Sequence, residues 1–319
     1  MQLKKILKEA QNVLIVCHKK PDGDTLGAGF AFWNLCRVYQ KNVDIVADSP
    51  EPAYYAFMPD FDRLNRQELK TYDLVIAVDC GDIERMGKFQ DYAKSIVSIN
   101  IDHHKTNKGF GKYNHVVPEL SSTCEAVYDI FFAEGILDAV PADIRVKIAY
   151  CLFIGLSTDT GHFMHSSVTA KTLHTAAALA DFGLNVNEIA AYLYQSNTVQ
   201  KMQLITRALQ SIRYFHHGDI GVITVRQRDL IESGCESSET EGLIDYAMKI
   251  KSVLVAVCVS EQTEKVFKVS FRSKGLDVSQ SAAFFGGGGH VRAAGCTVMG
   301  YYEDVIDRII KAITDGMSD

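Results

Sequence analysis

Four short apolar runs mark the first hundred residues: "NVLIVC" (12–17), "VDIVAD" (43–48), "DLVIAVD" (73–79) and "SIVSINID" (95–102). Each is bounded by polar or turn-forming residues and predicts a strand buried on both faces. Between the first two lies "TLGAGFAFWNLCRVYQ", which reads as a helix. Strands alternating with helices predict a parallel sheet covered on both sides. From 122 to 156 the pattern turns helical, followed by the polar loop "TDTGHFMHSS" and the helical "VTAKTLHTAAALADFG". The stretch "NEIAAYLYQSNTVQKMQLITRAL" predicts a long helix broken near Ser196 and Asn197, the expected domain connection.

Beyond it, "IRYFHHGDIGVITV" predicts a hairpin turning around His217, Gly218 and Asp219. "SVLVAVCVSEQTEKVFKVSFRS" predicts another, with its turn in the polar residues 260–265. The expected fold is therefore α/β, with a parallel-sheet domain over 1–186, a helical linker over 187–207 and a smaller mixed-sheet α/β domain over 208–319. At 319 residues the chain is long enough for two cores.

Composition adds limits. The 33 basic and 39 acidic residues give a net charge of −6, which argues against a surface that tracks long nucleic acid. None of the eight cysteines forms a CxxC pair, and Cys17, Cys80, Cys151 and Cys258 sit inside apolar runs, as expected of reduced core residues in a cytoplasmic protein. No apolar run approaches membrane-spanning length, and the amphipathic "MQLKKILKEA" lacks the apolar core of a signal peptide.

The candidate chemistry is positional. His18, Asp22 and Asp24 lie just past the first strand, Asp79 and Asp82 at the end of the third, and Asp102, His103 and His104 at the end of the fourth. Ligands of open α/β sheets bind outside the carboxyl ends of the strands, so separate segments deliver acids and imidazoles to one rim. Asp159 supplies a further acid after an apolar helix. Singly, each has an ordinary reading: a turn for Asp22-Gly23-Asp24, a helix cap for Asp79, a turn cap for Asp159, a packed imidazole for His18. Together they would repel, and Lys19 and Lys20 cannot offset them all; a divalent metal is the usual remedy. Oxygen ligands with imidazole favour Mn²⁺ over a thiolate zinc site. Six side chains, His18, Asp22, Asp24, Asp79, His103 and Asp159, suffice for two ions sharing a carboxylate, a centre that activates a bridging water for in-line attack on a phosphoester.

In the second domain, Gly286 to Gly289 would let the backbone approach an anion, with His290 and Arg292 adding donors and Arg272 gripping phosphate. A flexible connection between helix and strand is the plainer reading of the glycines alone, but with "HVRAAG" and Arg272 beside them the phosphate reading leads. His162 and His165 flank the Asp159 loop, with pocket-lining and surface roles both open. His216 and His217 are expected in solvent at their turn. Glu125 and the preceding "SST" read as a helix start near the rim.

These segments resemble, in order, the motifs of the DHH phosphoesterase family: H-x3-D-x-D at 18–24, "VDCGD" at 78–82, "DHH" at 102–104 and "TDTGHF" at 158–163. "FRS" (271–273) and "GGGGHVRAAG" (286–295) resemble its DHHA1 substrate domain. Length and domain pairing are most similar to the NrnA-type branch. The resemblance implies two Mn²⁺, with Mg²⁺ or Co²⁺ as alternatives, held by His18, Asp22, Asp24, Asp79, His103 and Asp159, Asp79 bridging. It implies His104 at the scissile phosphate and Asp102 orienting the histidines, with Arg85 near the acids or the substrate. Arg272, Ser273, Gly287, Gly288, Gly289, His290 and Arg292 would bind substrate, a gap between the domains limiting its length. The implied activity is hydrolysis of short RNA or DNA oligonucleotides (nanoRNA, dinucleotides) to mononucleotides and of 3'-phosphoadenosine 5'-phosphate (pAp) to AMP, by a cytoplasmic monomer or homodimer with no membrane partner. Phosphodiesterases for cyclic or linear dinucleotides such as c-di-AMP and pApA are the nearest competing reading. An inactive nucleotide-binding regulator is the competitor from another class; no ligand position is substituted, which argues against it.

Overall fold

The computed structural model describes residues 2–317, with only the backbone of His290. It contains two compact units, divided between Gln195 and Ser196. Among the described residues, no helix is long and apolar enough to cross a membrane.

The first unit runs α1 (Leu3–Glu9), β1 (Asn12–Cys17), α2 (Gly23–Val38), β2 (Asn42–Ala47), β3 (Leu74–Val78), α3 (Gln90–Ser95), β4 (Val97–Asp102), β5 (Tyr113–Val116), α4 (Thr123–Ala133), α5 (Ile136–Ala139), α6 (Ala142–Asp159), α7 (Ala170–Ala180) and α8 (Val186–Tyr194). Its five strands are all parallel in the order β2-β1-β3-β4-β5. Side chains alternate between two cores, as period two requires: Val13, Ile15 and Cys17 pack with α2 and α6, while Leu14 and Val16 pack with Met86, Phe89 and Ala93. Helices therefore cover both faces, as the runs predict.

The register fixes the rim. Cys17 pairs with Val78, and Val78 with Ile101, so the next residues, His18, Asp79 and Asp102, reach the sheet's edge at one level, Asp102 still paired with Val116 of β5. The strand order reverses between β1 and β3, the switch point where an open α/β sheet forms its crevice.

One strand departs from the expectation, and two other features are narrowed by the structure. β5, "YNHV", is a fifth strand that the sequence hides, because a short, half-exposed edge strand carries neither an apolar run nor clean alternation. The second hairpin turns within residues 260–265, at their end: β8 (Val255–Thr263) and β9 (Val266–Ser273) leave only Glu264 and Lys265 between them, Lys265 at φ +62°. The glycine run is not a free connection throughout, since Gly288 and Gly289 belong to β10 (Gly288–His290), paired with β11 (Ala293–Met299).

The second unit contains, in chain order, α9 (Val199–Gln210), β6 (Arg213–Phe215), β7 (Ile220–Val225), α10 (Gln227–Ser233), α11 (Leu243–Met248), β8, β9, α12 (Val278–Phe284), β10, β11 and α13 (Tyr302–Asp315). Its mixed sheet, in the order β10-β11-β9-β8-β7-β6, packs α12 and α13 on one face and α9, α10 and α11 on the other. The segment 187–207 thus spans most of two helices, α8 in the first unit and α9 in the second.

Helix α2 is buried on nearly every side, which suits its almost wholly apolar sequence. It lies against α6 at backbone distance: a Cβ on Gly27 would meet the Cys151 carbonyl at 2.4 Å, and one on Gly155 would meet Cys124 Sγ at 2.2 Å and Asp24 Oδ1 at 2.9 Å. Gly155→Ala should therefore destabilise the first unit by about 1–3 kcal/mol in urea unfolding, the cost of an overpacked core. Gly275→Ala, with nothing within 4 Å, should stay within about 1 kcal/mol of the parent; equal midpoints for the two variants would contradict the tight α2–α6 crossing.

Candidate metal centre

At the carboxyl edge of the five-stranded sheet, Asp79 sits where β3 ends and has φ +58°, a left-handed conformation that aspartate tolerates better than most residues. Its amide donates to the Ile101 carbonyl at 2.9 Å. Its carboxylate is buried and central. Oδ2 lies 3.4 Å from His18 Nε2, and Oδ1 lies 3.8 Å from His103 Nε2 and 3.5 Å from His104 Nδ1. Thr123 Oγ1 donates to Oδ1 at 2.8 Å.

Asp22 is the N-cap of α2, its Oδ1 accepting the amides of Asp24 and Thr25, while Oδ2 lies 3.5 Å from His18 Nε2. Asp24, one turn inward, is fully buried. Its two oxygens accept the amides of Thr123 and Cys124 at 2.7 and 2.9 Å, so the start of α4 caps a carboxylate from α2. The α4 dipole adds to that stabilisation. Asp159 ends α6, with Oδ2 3.4 Å from His103 Nε2. Neither Asp79 nor Asp159 caps a helix start; that task falls to Asp82, which accepts the Arg85 amide.

The imidazoles are set by carbonyls. His18 Nδ1 lies 2.7 Å from the Lys19 carbonyl and His103 Nδ1 lies 3.3 Å from the Leu120 carbonyl. A carbonyl only accepts, so each Nδ1 carries a proton and each Nε2 is the atom turned to the carboxylates, where it would offer its lone pair to a cation once its own proton is lost. His18 Nε2 is buried and has no hydrogen-bond partner, although two carboxylate oxygens lie within 3.5 Å. His104 differs: its Nδ1 donates to Asp102 Oδ1 at 2.7 Å. Asp102 also accepts the His103 amide and the Asn107 side chain, at 2.9 and 2.6 Å.

The electrostatics record the crowding. Burial pushes the Asp24 carboxyl up to about 7, with the Asp79 charge adding to the rise. Burial and then Asp24 hold Asp159 well above the carboxylate range. Burial disfavours protonated His103, yet Asp24, Asp159 and Asp79 outweigh it and raise the imidazole to about 9. His18 rises to about 10 in the same way, against its burial, through Asp22 and Asp79. Burial also opposes ionised Asp102, but His104 and Asn107 hold its carboxyl below the usual range. Among the described residues, no lysine or arginine lies within 4 Å of Asp22, Asp24, Asp79 or Asp159, so protons are what relieve the repulsion.

Three sets of nitrogen and oxygen donors lie within 4.8 Å of one another: His18, Asp22 and Asp79; Asp24, His103 and Asp159; and Asp79, His103 and His104. An unpartnered buried Nε2 facing carboxylate oxygens fits a cation between them. All six residues expected as ligands are brought together. Asp102 stands behind His104 and outside these sets. Arg85 has no ion pair among the described residues, its carbonyl instead accepting the Lys19 amide at 2.8 Å.

In the second unit, Arg272 pairs in register with Ala293, and Gly288 with Gly295. A Cβ on Gly287 would meet the Gly295 carbonyl at 2.2 Å, which explains a glycine there. The Arg272 guanidinium donates to the Phe271 carbonyl at 3.1 Å, and the Ser273 hydroxyl is engaged with the Leu276 carbonyl. The Arg292 carbonyl accepts the Ser273 amide. The His290 side chain lies outside the described residues.

Sequence reasoning placed Thr123 only in a helix start near the rim and missed Cys124, Asn107 and Thr25. Thr25 Oγ1 donates to the Val78 carbonyl and accepts the His18 amide, tying three rim segments together. The available signals were weak: a hydroxyl run before a helix, and an asparagine five residues after Asp102.

Residues 12–156 match the DHH family, N-terminal domain, and residues 219–319 match the DHHA1 domain. The chain is 28% identical to the bifunctional oligoribonuclease and PAP phosphatase NrnA of Thermus thermophilus, across 98% of this chain and 93% of that one. It is 27% identical to the Bacillus subtilis protein of the same name, across 93% and 92%. The fold matches the crystal structure of an exopolyphosphatase-related protein from Bacteroides fragilis with TM-score 0.91 and 24% identity, over 98% of this chain and 94% of that one. With both domain matches in order, the chain belongs to the DHH–DHHA1 phosphoesterase family.

Proposed function

We propose that this protein hydrolyses short oligonucleotides to mononucleotides and pAp to AMP, as a cytoplasmic enzyme using two Mn²⁺. The observation that carries the reading is the set of overlapping donor groups sharing Asp79 and His103 at the sheet's switch point. The names of the Thermus and Bacillus relatives support the substrate class.

In this reading His18 and Asp22 would hold one ion and Asp24, His103 and Asp159 the other, with Asp79 available to both. Such a pair would neutralise phosphoryl charge and acidify a water at neutral pH. The remaining steps belong to the side chains. Asp102, fixed by Asn107, holds His104 with its Nδ1–H inward and stabilises the charged imidazole. Nε2 of His104 is the atom we assign to the phosphate, where it steadies the departing oxygen and passes it a proton. Thr123 keeps the Asp79 carboxylate in one orientation. Arg272, Arg292 and the backbone at 287–289 are assigned to a terminal phosphate of the nucleotide, with His290 beside them.

The purified protein with Mn²⁺ should shorten labelled RNA of two to ten nucleotides, fastest at the short end, and release phosphate from pAp. No turnover of these or of cyclic dinucleotides, with Mn²⁺ bound, would defeat the enzyme reading. Removing the metal with chelator should abolish turnover reversibly.

A variant series separates the roles. His103→Ala should lose Mn²⁺ affinity beyond the roughly 10–100-fold typical of an outer partner, and Thr123→Val should fall within that range. His104→Ala should keep its metal while kcat drops by about 10²–10⁴. Titration calorimetry and single-turnover rates distinguish the two classes; a His104 variant that loses metal instead would reverse the assignment.

A further inference from the structure

We propose a nucleobase-stacking subsite beside the metal centre, formed by Tyr194 and His162; it rests on the oligonucleotide reading above. The chain after Asp159 makes an uncommon turn in which Gly161, His162 and Phe163 all have left-handed backbones, φ +55°, +57° and +63°. For two successive residues with Cβ atoms that conformation is costly and needs a compensating cause. Phe163 has one, since its ring packs edge-on against Phe153 in the core. His162 does not: it is exposed, so burial does not repay the strain.

What the turn achieves is the placement of a ring. His162 lies against Tyr194 with centroids 4.6 Å apart, and Ser157 Oγ bonds both, at 3.0 Å to His162 Nδ1 and 3.2 Å to Tyr194 Oη. The His162 amide donates to the Ser157 carbonyl at 2.7 Å, and Met164 and His165 amides close onto Thr160. Ser157 belongs to the turn of α6 that carries Asp159, so the ring pair is fastened to that ligand's own helix. Three residues of chain span at most roughly 11 Å, within reach of a nucleotide whose phosphate lies at the metals.

Tyr194 remains 45% exposed although Ser157 and His162 hold it in place, which leaves ring surface for a planar partner. Tyr192, stacked on Phe57 at 4.7 Å, and Tyr54, bonded to the Leu193 carbonyl, stiffen the same end of α8. Rigid aromatic surfaces bind any base through its π-face, purines more firmly than pyrimidines, without reading sequence. That suits an enzyme that must accept every short oligonucleotide.

The test is equilibrium binding of AMP, UMP and ribose 5-phosphate to the full chain with Mn²⁺, for the parent, Tyr194→Ala, Tyr194→Phe and His162→Gly. Glycine accepts φ +57° without strain, so His162→Gly keeps the turn and carries the test if Tyr194→Ala fails to fold. Tyr194→Ala and His162→Gly should weaken AMP by about tenfold, UMP by less, and leave ribose 5-phosphate unchanged, while Tyr194→Phe retains AMP binding. Equal loss for all three ligands, or no loss for AMP, would overturn the subsite. Dinucleotide turnover by the parent is scored separately: its absence with base-dependent binding intact defeats the phosphoesterase reading alone, and its presence without base dependence defeats the stacking alone.

Discussion

Mutual repulsion among Asp22, Asp24, Asp79 and Asp159 is the constraint around which the first unit is organised. Like charges at this spacing, mostly out of water, cannot all persist without compensation. The protein supplies some of it in its architecture: two amides and the dipole of α4 face Asp24, two amides of α2 face Asp22, and the Thr123 hydroxyl faces Asp79. The rest falls to protons: the acids raise the His18 and His103 imidazoles, and burial beside other acids raises the Asp24 and Asp159 carboxyls. A cation would take over that role and release those protons, so the folded chain is poised for metal in its electrostatics as well as its donor set.

Holding such a cluster needs a stiff frame, and the frame is made of close backbone approaches. α2 brings Asp24 within reach of α4 because Gly27 and Gly155 let α2, α6 and Cys124 pack without intervening side chains. Asp79 reaches the middle of the cluster because its backbone turns left-handed at the end of β3, held by the hydrogen bond to Ile101. Strain at Asp79 and crowding at Gly155 serve the same end. Strain at His162 is of another kind, since it lies outside the acid cluster and positions a ring rather than a charge.

Much of this was legible in the chain because a buried parallel strand leaves two marks: a continuous apolar run, and a sharp end where polar chemistry starts. His18, Asp79 and Asp102 were visible as residues at or just past those ends, and the register brings them to one level. What stayed hidden depends on contacts between distant segments. The Thr123 amide meets Asp24 across 99 positions, which no local pattern encodes. β5 was hidden because an edge strand needs no apolar run, and β10 within the glycine run was hidden because its backbone pairing with β11 requires no side-chain signature. The left-handed backbone at His162 was equally silent, since histidine is not the residue that conformation ordinarily selects.

The paired histidines at the end of β4 show how one constraint yields two roles. Adjacent residues at a strand end leave in different directions, so His103 and His104 cannot share an environment. His103 turns its Nδ1 to the Leu120 carbonyl and its Nε2 to three carboxylates. His104 turns its Nδ1 to Asp102, an acid stabilised by Asn107 and by the His103 amide itself. A carbonyl partner leaves an imidazole a good ligand, whereas a buried carboxylate partner stabilises its charged form. In the proposed division between ligand and proton carrier, the difference between the two histidines is what each Nδ1 meets, and Asp102, bonded to the amide of one and the ring of the other, sets them apart.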